Sequence, residues 1–204
     1  QRGNNRQHCF ASEQDYGIYL KWLKEYADTF EVSVHSWVLM TNHVHLLCTP
    51  HNDDAISNMM QALGRRYVRY FNYTHQRTGT LWEGRFKSCL VEQSHYLLNL
   101  YKYIEMNPVR ANMVSHPAEY NWSSYRVNGL GMESDLCSKH ALYVDLGANR
   151  EERLFHYRIL FEKELNQEHL ECIKQSTLSG LAIGSDNFKH EMECLTGRRV
   201  RPGK

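Results

Sequence analysis

The chain has 204 residues, of which 42% are hydrophobic and 23% are charged, and its formal net charge is +1. This length suits one catalytic domain with a smaller appendage, and this composition supports a packed core. The near-neutral charge does not by itself indicate a nucleic-acid-binding protein. No apolar run reaches the roughly 18 residues that a membrane-spanning helix needs, so we expect no membrane segment.

Cysteine usage and the start of the chain bear on where the protein acts. The six cysteines are scattered and none forms a Cys-x-x-Cys pair, which disfavours a structural zinc site and indicates reduced thiols. No secretory signal sequence is found, so we expect a cytoplasmic protein. The first residue is Gln1 rather than methionine, so the sequence can begin inside a domain.

The first regular elements are predicted to be a helix and a β-hairpin. Ser12 is typical of a helix N-cap, and Asp15 follows it by three residues, as in a capping box. Alternating valines over 32–38 indicate a strand. A tight turn at 41–42 then leads into a second strand, which Pro50 closes, so the two strands form a hairpin.

The middle of the chain is predicted to hold a second helix and a third strand. The helix begins after the acidic pair at 53–54 and continues to Phe71. Its arginines off the apolar stripe either line a DNA groove or simply face solvent: Arg65, Arg66 and Arg69. The turn-rich segment 75–84 follows, in which Trp82 either stacks on a base or is buried. A strand is predicted over 86–91.

A third helix, predicted to be capped by Ser94, carries two residues of chemical interest. Tyr103 and Asn107 are four residues apart and would share one helical face. Pro108 disfavours helical geometry at Asn107, so that side chain would sit at the end of the helix and turn toward a site. Tyr101 competes as a reactive tyrosine, but it lies off this face.

The last third changes character. Glycines over 129–131 indicate a linker, and residues 133–171 hold nine acidic against five basic residues. Helical patterns over 169–178 and 186–195, the second capped by Ser185, resemble a helix-turn-helix. The tail is predicted to be a disordered basic arm with Arg198, Arg199, Arg201 and Lys204.

Two histidines give the first indication of chemistry. His43 and His45 alternate with Val44 on a strand, so both imidazoles share one face and can bind one divalent metal. A metal beside a tyrosine hydroxyl suggests phosphoryl transfer onto tyrosine. A lone His-x-His pair is weak evidence, and Tyr103 is one of 13 tyrosines, so the prediction rests on the two stretches together.

Basic residues are expected to surround this chemistry. Residues 65–110 hold eight basic and three acidic side chains, and such a local surface attracts phosphates. The loop over 2–7 is either suited to phosphate or base contact or is a solvated end. Glu83 is either a carboxylate that orients a histidine or, as we favour, a salt-bridge partner. The predicted DNA-binding residues are Arg2, Asn4, Asn5, Arg6, Arg65, Arg66, Arg69, Arg85, Lys87 and Arg110.

These motifs together resemble one known family, the REP-associated tyrosine transposases, which are relatives of the single-tyrosine insertion-sequence transposases. His43-Val44-His45 is similar to their His-hydrophobic-His (HUH) motif, and Tyr103–Ala111 resembles the signature that follows it. Further similar segments lie at 2–6, 82–88 and 122–125. The resemblance covers residues 1–130 strongly and extends more weakly to Arg201.

The resemblance implies an α+β fold, in which helices pack on an antiparallel, ferredoxin-like sheet with the histidine strand at its centre. It implies a catalytic domain over 1–130, with its first strand missing or truncated. A small helical C-terminal region over 131–204 would carry the helix-turn-helix and the basic tail.

The resemblance also implies the activity, a metal-dependent single-stranded DNA endonuclease and strand-transferase. Tyr103 would become linked to the 5′ phosphate, while His43, His45 and, least securely, Asn107 hold magnesium or manganese. The partner would be a hairpin formed by short palindromic repeats of a bacterial genome, bound at the nucleoid. Monomer or homodimer, and use of Tyr103 in cis or in trans, stay open.

Three alternatives remain at this point. The chain can be a catalytically silent, domesticated DNA-binding protein, although its intact motif residues disfavour this. It can be a metal-dependent phosphodiesterase in which water attacks, or an RNA-binding module that uses the same sheet.

Overall fold

The computed structural model describes residues 1–201, apart from the side chain of His95. Its α+β composition confirms the predicted fold class. No helix in this part of the chain is long and apolar enough to cross a membrane. The regular elements are α1 (Glu13–Thr29), β1 (Val32–Met40), β2 (His43–Pro50), α2 (Ala55–Thr74), α3 (Gln93–Glu105), α4 (Asn107–Arg110), α5 (Tyr125–Asn128), α6 (Ala141–Val144), α7 (Arg150–Glu162), α8 (Gln167–Ser179) and α9 (Asp186–Thr196).

The chain divides into two compact units. The first contains Gln1–Phe86 and Ile104–His140, and the second contains Lys87–Tyr103 and the segment that begins at Ala141. This division differs from the predicted domain boundary after residue 130. Residues 131–140 stay with the first unit because the Ser138 N–H donates to the Val34 carbonyl at 2.8 Å.

The hairpin of the first unit forms as the alternation predicts. Met40 pairs with His43 across a two-residue turn, and β1 and β2 run antiparallel. A bulge at His35 shifts the register, so Val34 lies opposite Cys48 whereas Ser36 lies opposite Leu47. Ser36 therefore faces the same side of the sheet as the histidines.

Single-residue bridges widen this sheet on both sides. Arg2 bridges to His43 and Gly3 bridges to Trp82, while Val38 of β1 bridges to Ser123. The motif segments that begin at residues 2, 82 and 122 thus lie at the two edges of the hairpin. Within residues 1–201 only β1 and β2 are regular strands, so the sheet is narrower than a ferredoxin-like fold predicts.

The strand predicted over 86–91 is wrong. Only Val91 forms a β-bridge there, to Ile183 of the second unit, through hydrogen bonds from the Ile183 N–H to the Leu90 carbonyl and from the Glu92 N–H to the Ile183 carbonyl, both at 2.8 Å. A strand is stabilised by pairing along its length, and the rest of this segment has no neighbouring strand.

The core of the first unit lies between one face of the sheet and the helices α1 and α2. Tyr19 and Tyr67 pack edge to face with ring centroids 5.0 Å apart, and Tyr67 stacks on Trp82 at 6.0 Å. Trp82 is 8% exposed. It is therefore a core residue, and its predicted alternative role of stacking on a base is wrong.

Asp15 confirms the predicted capping box and extends it. Its carboxylate accepts hydrogen bonds from the backbone N–H groups of Ala11 and Ser12, at the start of α1. It also accepts from the Tyr70 hydroxyl at 2.9 Å and lies 3.1 Å from the His75 ring. A fully buried carboxylate is tolerated here because several donors surround it. The pKa of Asp15 is lowered, since these hydrogen bonds outweigh the opposing effect of burial.

A second buried carboxylate, that of Glu105, holds the end of α3 against β1. Its Oε1 atom accepts from the hydroxyls of Ser124 at 2.5 Å and Ser36 at 3.3 Å, and from Asn128 Nδ2 at 2.8 Å. Ser124 in turn accepts from the Trp37 N–H at 2.9 Å. The segment after α3 is thereby tied to the histidine-bearing face of the sheet.

The second unit is built around buried tyrosines. Tyr101 stacks on Tyr143 at 6.2 Å and meets Tyr157 edge to face at 6.0 Å. The two predicted C-terminal helices are present as α8 and α9, and the Ser185 side chain caps α9 by accepting from the Phe188 N–H. Helix α3 begins at Gln93, so Ser94 lies inside its first turn rather than at its cap.

The predicted disordered arm is wrong up to Arg201. Val200 is buried, and its carbonyl accepts from the Ala182 N–H at 3.0 Å. Arg201 Nε donates to the Glu193 carboxylate at 2.8 Å, and this hydrogen bond lowers the pKa of Glu193 to about 2. Lys204, the last residue of that predicted arm, lies outside the described residues.

We expect Glu105→Ala to lower the free energy of unfolding by about 3 kcal/mol, because three buried donors lose their acceptor. Urea unfolding followed by tryptophan fluorescence measures this change. Glu105→Gln keeps one acceptor oxygen and should lose less. Glu83→Ala, on an exposed side chain, should change stability by no more than about 0.5 kcal/mol. Equal stability of Glu105→Ala and the wild type would contradict the role given to the network.

We expect part of the acid sensitivity of the fold to come from His35. Burial lowers the pKa of its imidazole, whose Nδ1 bonds the Ser138 carbonyl at 2.8 Å while Nε2 bonds the Thr49 hydroxyl at 2.9 Å. Below about pH 6.5 the unfolded chain binds a proton that folded His35 does not, so stability falls as pH falls. His35→Gln should show a smaller drop in Tm between pH 7 and pH 5. The same change at exposed His8 should leave the drop unaltered.

Candidate metal and DNA site

The two histidines of β2 lie side by side on the face of the sheet that does not join the core. Their ring centroids are 5.1 Å apart and the rings are nearly perpendicular, at 86°. Val44 between them is buried in the core of the first unit. The strand alternation therefore places the imidazoles on the face of the sheet that also carries Val38 and Met40, opposite the face that packs against α1 and α2.

His43 is held by its neighbour in the turn. Its Nδ1 atom lies 2.7 Å from Asn42 Oδ1. Asn42 Nδ2 donates to the Arg6 carbonyl at 3.2 Å. The ring is thus connected through one amide to the N-terminal loop.

The surroundings keep both imidazoles neutral. Burial, assisted by Arg2, lowers the pKa of His43 to about 4. Burial lowers the pKa of His45 well below its usual value, and His43 and Arg110 act in the same direction. Neutral imidazole is the form that binds a metal, so protons do not compete for these nitrogens at neutral pH.

Asn107 is placed differently from the prediction. Helix α3 ends at Glu105, and Asn107 begins the short helix α4, so it does not continue the helical face of Tyr103. Pro108 has no N–H for the Ile104 carbonyl, and Asn107 Nδ2 donates to that carbonyl instead, at 3.1 Å. The amide nitrogen is therefore committed, and a ligand role would fall to Oδ1.

These donors suit a divalent metal. Among the described residues no group of three His, Cys, Asp or Glu side chains could hold a metal. The first unit contains the two neutral imidazoles on β2 and also Asn107, whose short helix α4 packs against β1. Nitrogen donors favour manganese over magnesium in such a set.

Tyr101 and Tyr103, two of the three tyrosines of α3, are both buried. Tyr101 is 1% exposed and packs among the rings of Tyr143 and Tyr157 in the second unit. Tyr103, which is 7% exposed, is the last residue of α3 that groups with that unit. The contacts of Tyr101 are those of a core residue, and the preference for Tyr103 as the reactive tyrosine stays a prediction.

The N-terminal loop is a defined turn rather than a solvated end. Asn5 and Arg6 both adopt left-handed backbone angles, with φ of 51° and 57°. A Cβ on Gly3 would lie 2.3 Å from the Gln7 carbonyl oxygen, so only glycine fits there. Arg77 Nη2 donates to Gln7 Oε1 at 2.7 Å. The side chains of Arg2, Asn5 and Arg6 are exposed, and Asn4 is half-buried.

The arginines of α2 do not surround the histidines. Helices α1 and α2 cover the apolar face of the sheet, and Arg66 stacks on Trp22 of α1 with its guanidinium 4.4 Å from the ring centre. Arg66 also pairs with Glu25 at 2.7 Å. An arginine cleft of about 550 Å³ lies on this side, lined by Trp22, Tyr26, Ala62, Arg65, Arg66, Arg69 and Tyr70.

The other predicted residues are dispersed. Arg85 is exposed, whereas Lys87 belongs to the second unit and donates to the Leu178 carbonyl at 2.7 Å. Glu83 is exposed, and its carboxylate forms no ion pair within residues 1–201, so the favoured salt bridge is wrong. The side chain that bonds the His43 ring is that of Asn42 rather than Glu83.

Two residues of this region were missed by sequence reasoning. The sequence pattern places Asn42 in a turn, and its position immediately before the histidine motif is the signal for a further role. Glu105 contributes to the predicted charge count, and its position between the apolar residues Ile104 and Met106 is the signal for a buried carboxylate.

Comparison with known proteins gives a family and a distant structural likeness. Residues 2–107, just over half of the chain, match the family described as IS200-like transposases. A search of curated proteins finds no match. A solved structure of a REP-associated tyrosine transposase bound to a REP hairpin is similar at 14% identity, over 68% of this chain and 81% of that chain, with a TM-score of 0.44. On the family match, the chain belongs to the IS200-like transposase family.

Proposed function

We propose that the protein is a metal-assisted single-stranded DNA endonuclease and strand-transferase that works through Tyr103. The observation that carries this proposal is the pair of neutral imidazoles, His43 and His45, with rings 5.1 Å apart on the same face of β2. Membership of a transposase family supports DNA as the substrate. Asn107 at the start of α4 would supply a third ligand.

The proposed step exchanges one phosphoester for another. The Tyr103 phenolate oxygen attacks a backbone phosphorus, and the bond from phosphorus to the 3′ oxygen breaks. The 3′ oxygen leaves and takes up a proton, while the phenol proton is lost to solvent. The product is a 5′-phosphotyrosine, which keeps the energy of the bond, so that rejoining to another 3′ hydroxyl needs no ATP.

His43, His45 and Asn107 would hold the metal, with manganese favoured and magnesium as the second choice. When bound, such an ion would neutralise charge that develops on the phosphate oxygens. Basic residues near the proposed ligands would attract and orient the DNA backbone. Arg2 and Arg110 are near enough to lower the pKa of His45, so they place positive charge beside the proposed ligands.

The proposed partner is a DNA hairpin of a bacterial repeat. The exposed side chains of the N-terminal turn would contact it beside β2. The arginine cleft is formed by α1 and α2 and would contact another part of the DNA hairpin. Arg65 and Arg69 are exposed there, next to the Trp22 ring. A surface that combines positively charged side chains with aromatic rings is suited to phosphate binding and base stacking.

We expect the wild type to form a covalent adduct with a labelled single-stranded hairpin in manganese, and Tyr103→Phe to form none. A denaturing gel measures this. Tyr101→Phe is the matched control on the same helix, and it should keep the adduct because only a core hydroxyl is removed. EDTA should abolish the adduct.

The same gel separates the rival functions. Cleavage without an adduct by both wild type and Tyr103→Phe would indicate attack by water. Hairpin binding without cleavage across a panel of sequences would favour the catalytically silent DNA-binding protein. Preference for RNA of the same sequence would favour the RNA-binding module.

We expect the double change Arg65→Ala and Arg69→Ala to weaken hairpin binding about tenfold and to reduce its salt dependence by about two phosphate contacts. Fluorescence anisotropy over a range of sodium chloride concentrations measures both quantities. Lys139→Ala removes an exposed charge elsewhere in the first unit and is the control. Wild-type affinity and slope in the double variant would exclude the arginine cleft as a DNA surface.

A further inference from the structure

We propose that Asn42 is a positioning residue that fixes His43 in the tautomer with hydrogen on Nδ1, and that it does so through the N-terminal loop. This leaves the Nε2 lone pair for the metal. The part that concerns the metal rests on the proposed function. The tautomer itself can be tested on the metal-free protein.

The direction of each hydrogen bond follows from one atom that can only accept. The Arg6 carbonyl has no hydrogen to donate, so the amide nitrogen of Asn42 must face it, at 3.2 Å. The oxygen of the same amide then faces the His43 ring, 2.7 Å from Nδ1. An amide oxygen also only accepts, so Nδ1 must carry the hydrogen.

The hydrogen bond to Asn42 fixes the orientation of the His43 ring as well as its tautomer. A neutral imidazole with hydrogen on Nδ1 has its acceptor at Nε2. A side chain that accepts from the remote nitrogen of a ligating histidine fixes the ring and makes it a better donor to the metal. Asn42 performs this task with an uncharged amide. It therefore does not neutralise the positive charge at the site, which would attract the DNA phosphate.

The loop contributes because the Arg6 carbonyl is held in place. Asn5 and Arg6 adopt left-handed angles, and the Gly3 N–H donates to the Asn42 carbonyl at 2.8 Å. Asn42 is therefore bound through its side chain and its backbone to the same turn. A displacement of Arg6 by DNA would reach the His43 ring through the Asn42 side chain, and the backbone bridge between Arg2 and His43 is a second connection from the same turn to β2.

The first experiment is a long-range ¹H–¹⁵N correlation spectrum of the histidine rings, recorded on the metal-free 204-residue chain near pH 7.5. The wild type should show the Nδ1–H tautomer at His43. Asn42→Ala should shift it toward the Nε2–H form, which imidazole prefers in water. Asn42→Asp keeps an acceptor next to Nδ1 but cannot donate to Arg6, so it should retain the tautomer while releasing the loop.

Asn72→Ala is the matched control. Asn72 Nδ2 donates to the Gly79 carbonyl at 2.9 Å, so this change removes a similar amide bond in the same unit away from the histidines. It should leave the His43 signals unaltered. An unaltered tautomer in Asn42→Ala, or an Nε2–H tautomer in the wild type, would overturn the inference.

A manganese titration by calorimetry then tests the link to the metal. Asn42→Ala should bind Mn²⁺ about 10- to 100-fold more weakly than the wild type, and Asn72→Ala should bind equally well. Equal affinity of Asn42→Ala and the wild type would overturn the positioning role. Absence of binding to the wild type itself would reject the proposed metal site, while the tautomer result would still decide the role of Asn42 toward the ring.

Discussion

The buried carboxylate of Glu105 is the constraint on which the histidine-bearing side of the first unit depends. It accepts hydrogen bonds from Ser36, Ser124 and Asn128. Ser36 lies on β1, Ser124 directly precedes α5, and Asn128 ends α5. A charge in a fully buried position is stable only when donors surround it. These three elements must therefore meet at one point, and the chain that continues into α4 leaves from there. The bulge at His35 returns Val34 to the core face, while Ser36 beside it faces the same side of the sheet as the histidines.

Two asparagines of the first unit are each oriented by a hydrogen bond to a backbone carbonyl. Asn42 donates to the Arg6 carbonyl, and Asn107 donates to the Ile104 carbonyl that Pro108 leaves without a partner. In each case the nitrogen is fixed and the amide oxygen is presented on the other side. The proline that ends the α3 pattern thus has a defined effect, since it creates the acceptor that orients Asn107.

Local patterns predicted the parts of the fold that local interactions determine. The capping box at Ser12, the hairpin and the shared face of His43 and His45 all follow from spacing within a few residues. Predictions that needed partners distant in sequence were weaker. The segment over 86–91 has strand-like composition but no neighbouring strand, and the charge of Glu105 gave no sign of donors from β1 and α5. Arg65, Arg66 and Arg69 follow the histidines in the sequence, yet α2 lies on the other face of the sheet from the imidazoles.

The basic residues near the histidines and the low pKa of those histidines are two effects of one arrangement. Arg2 and Arg110 disfavour the protonated imidazole, so they add to the effect of burial on His45. The same positive charges attract the phosphate of a DNA strand. A carboxylate in their place would raise the pKa of the histidines and repel the phosphate. An uncharged amide at position 42 avoids both effects and still supplies the acceptor that the His43 ring requires.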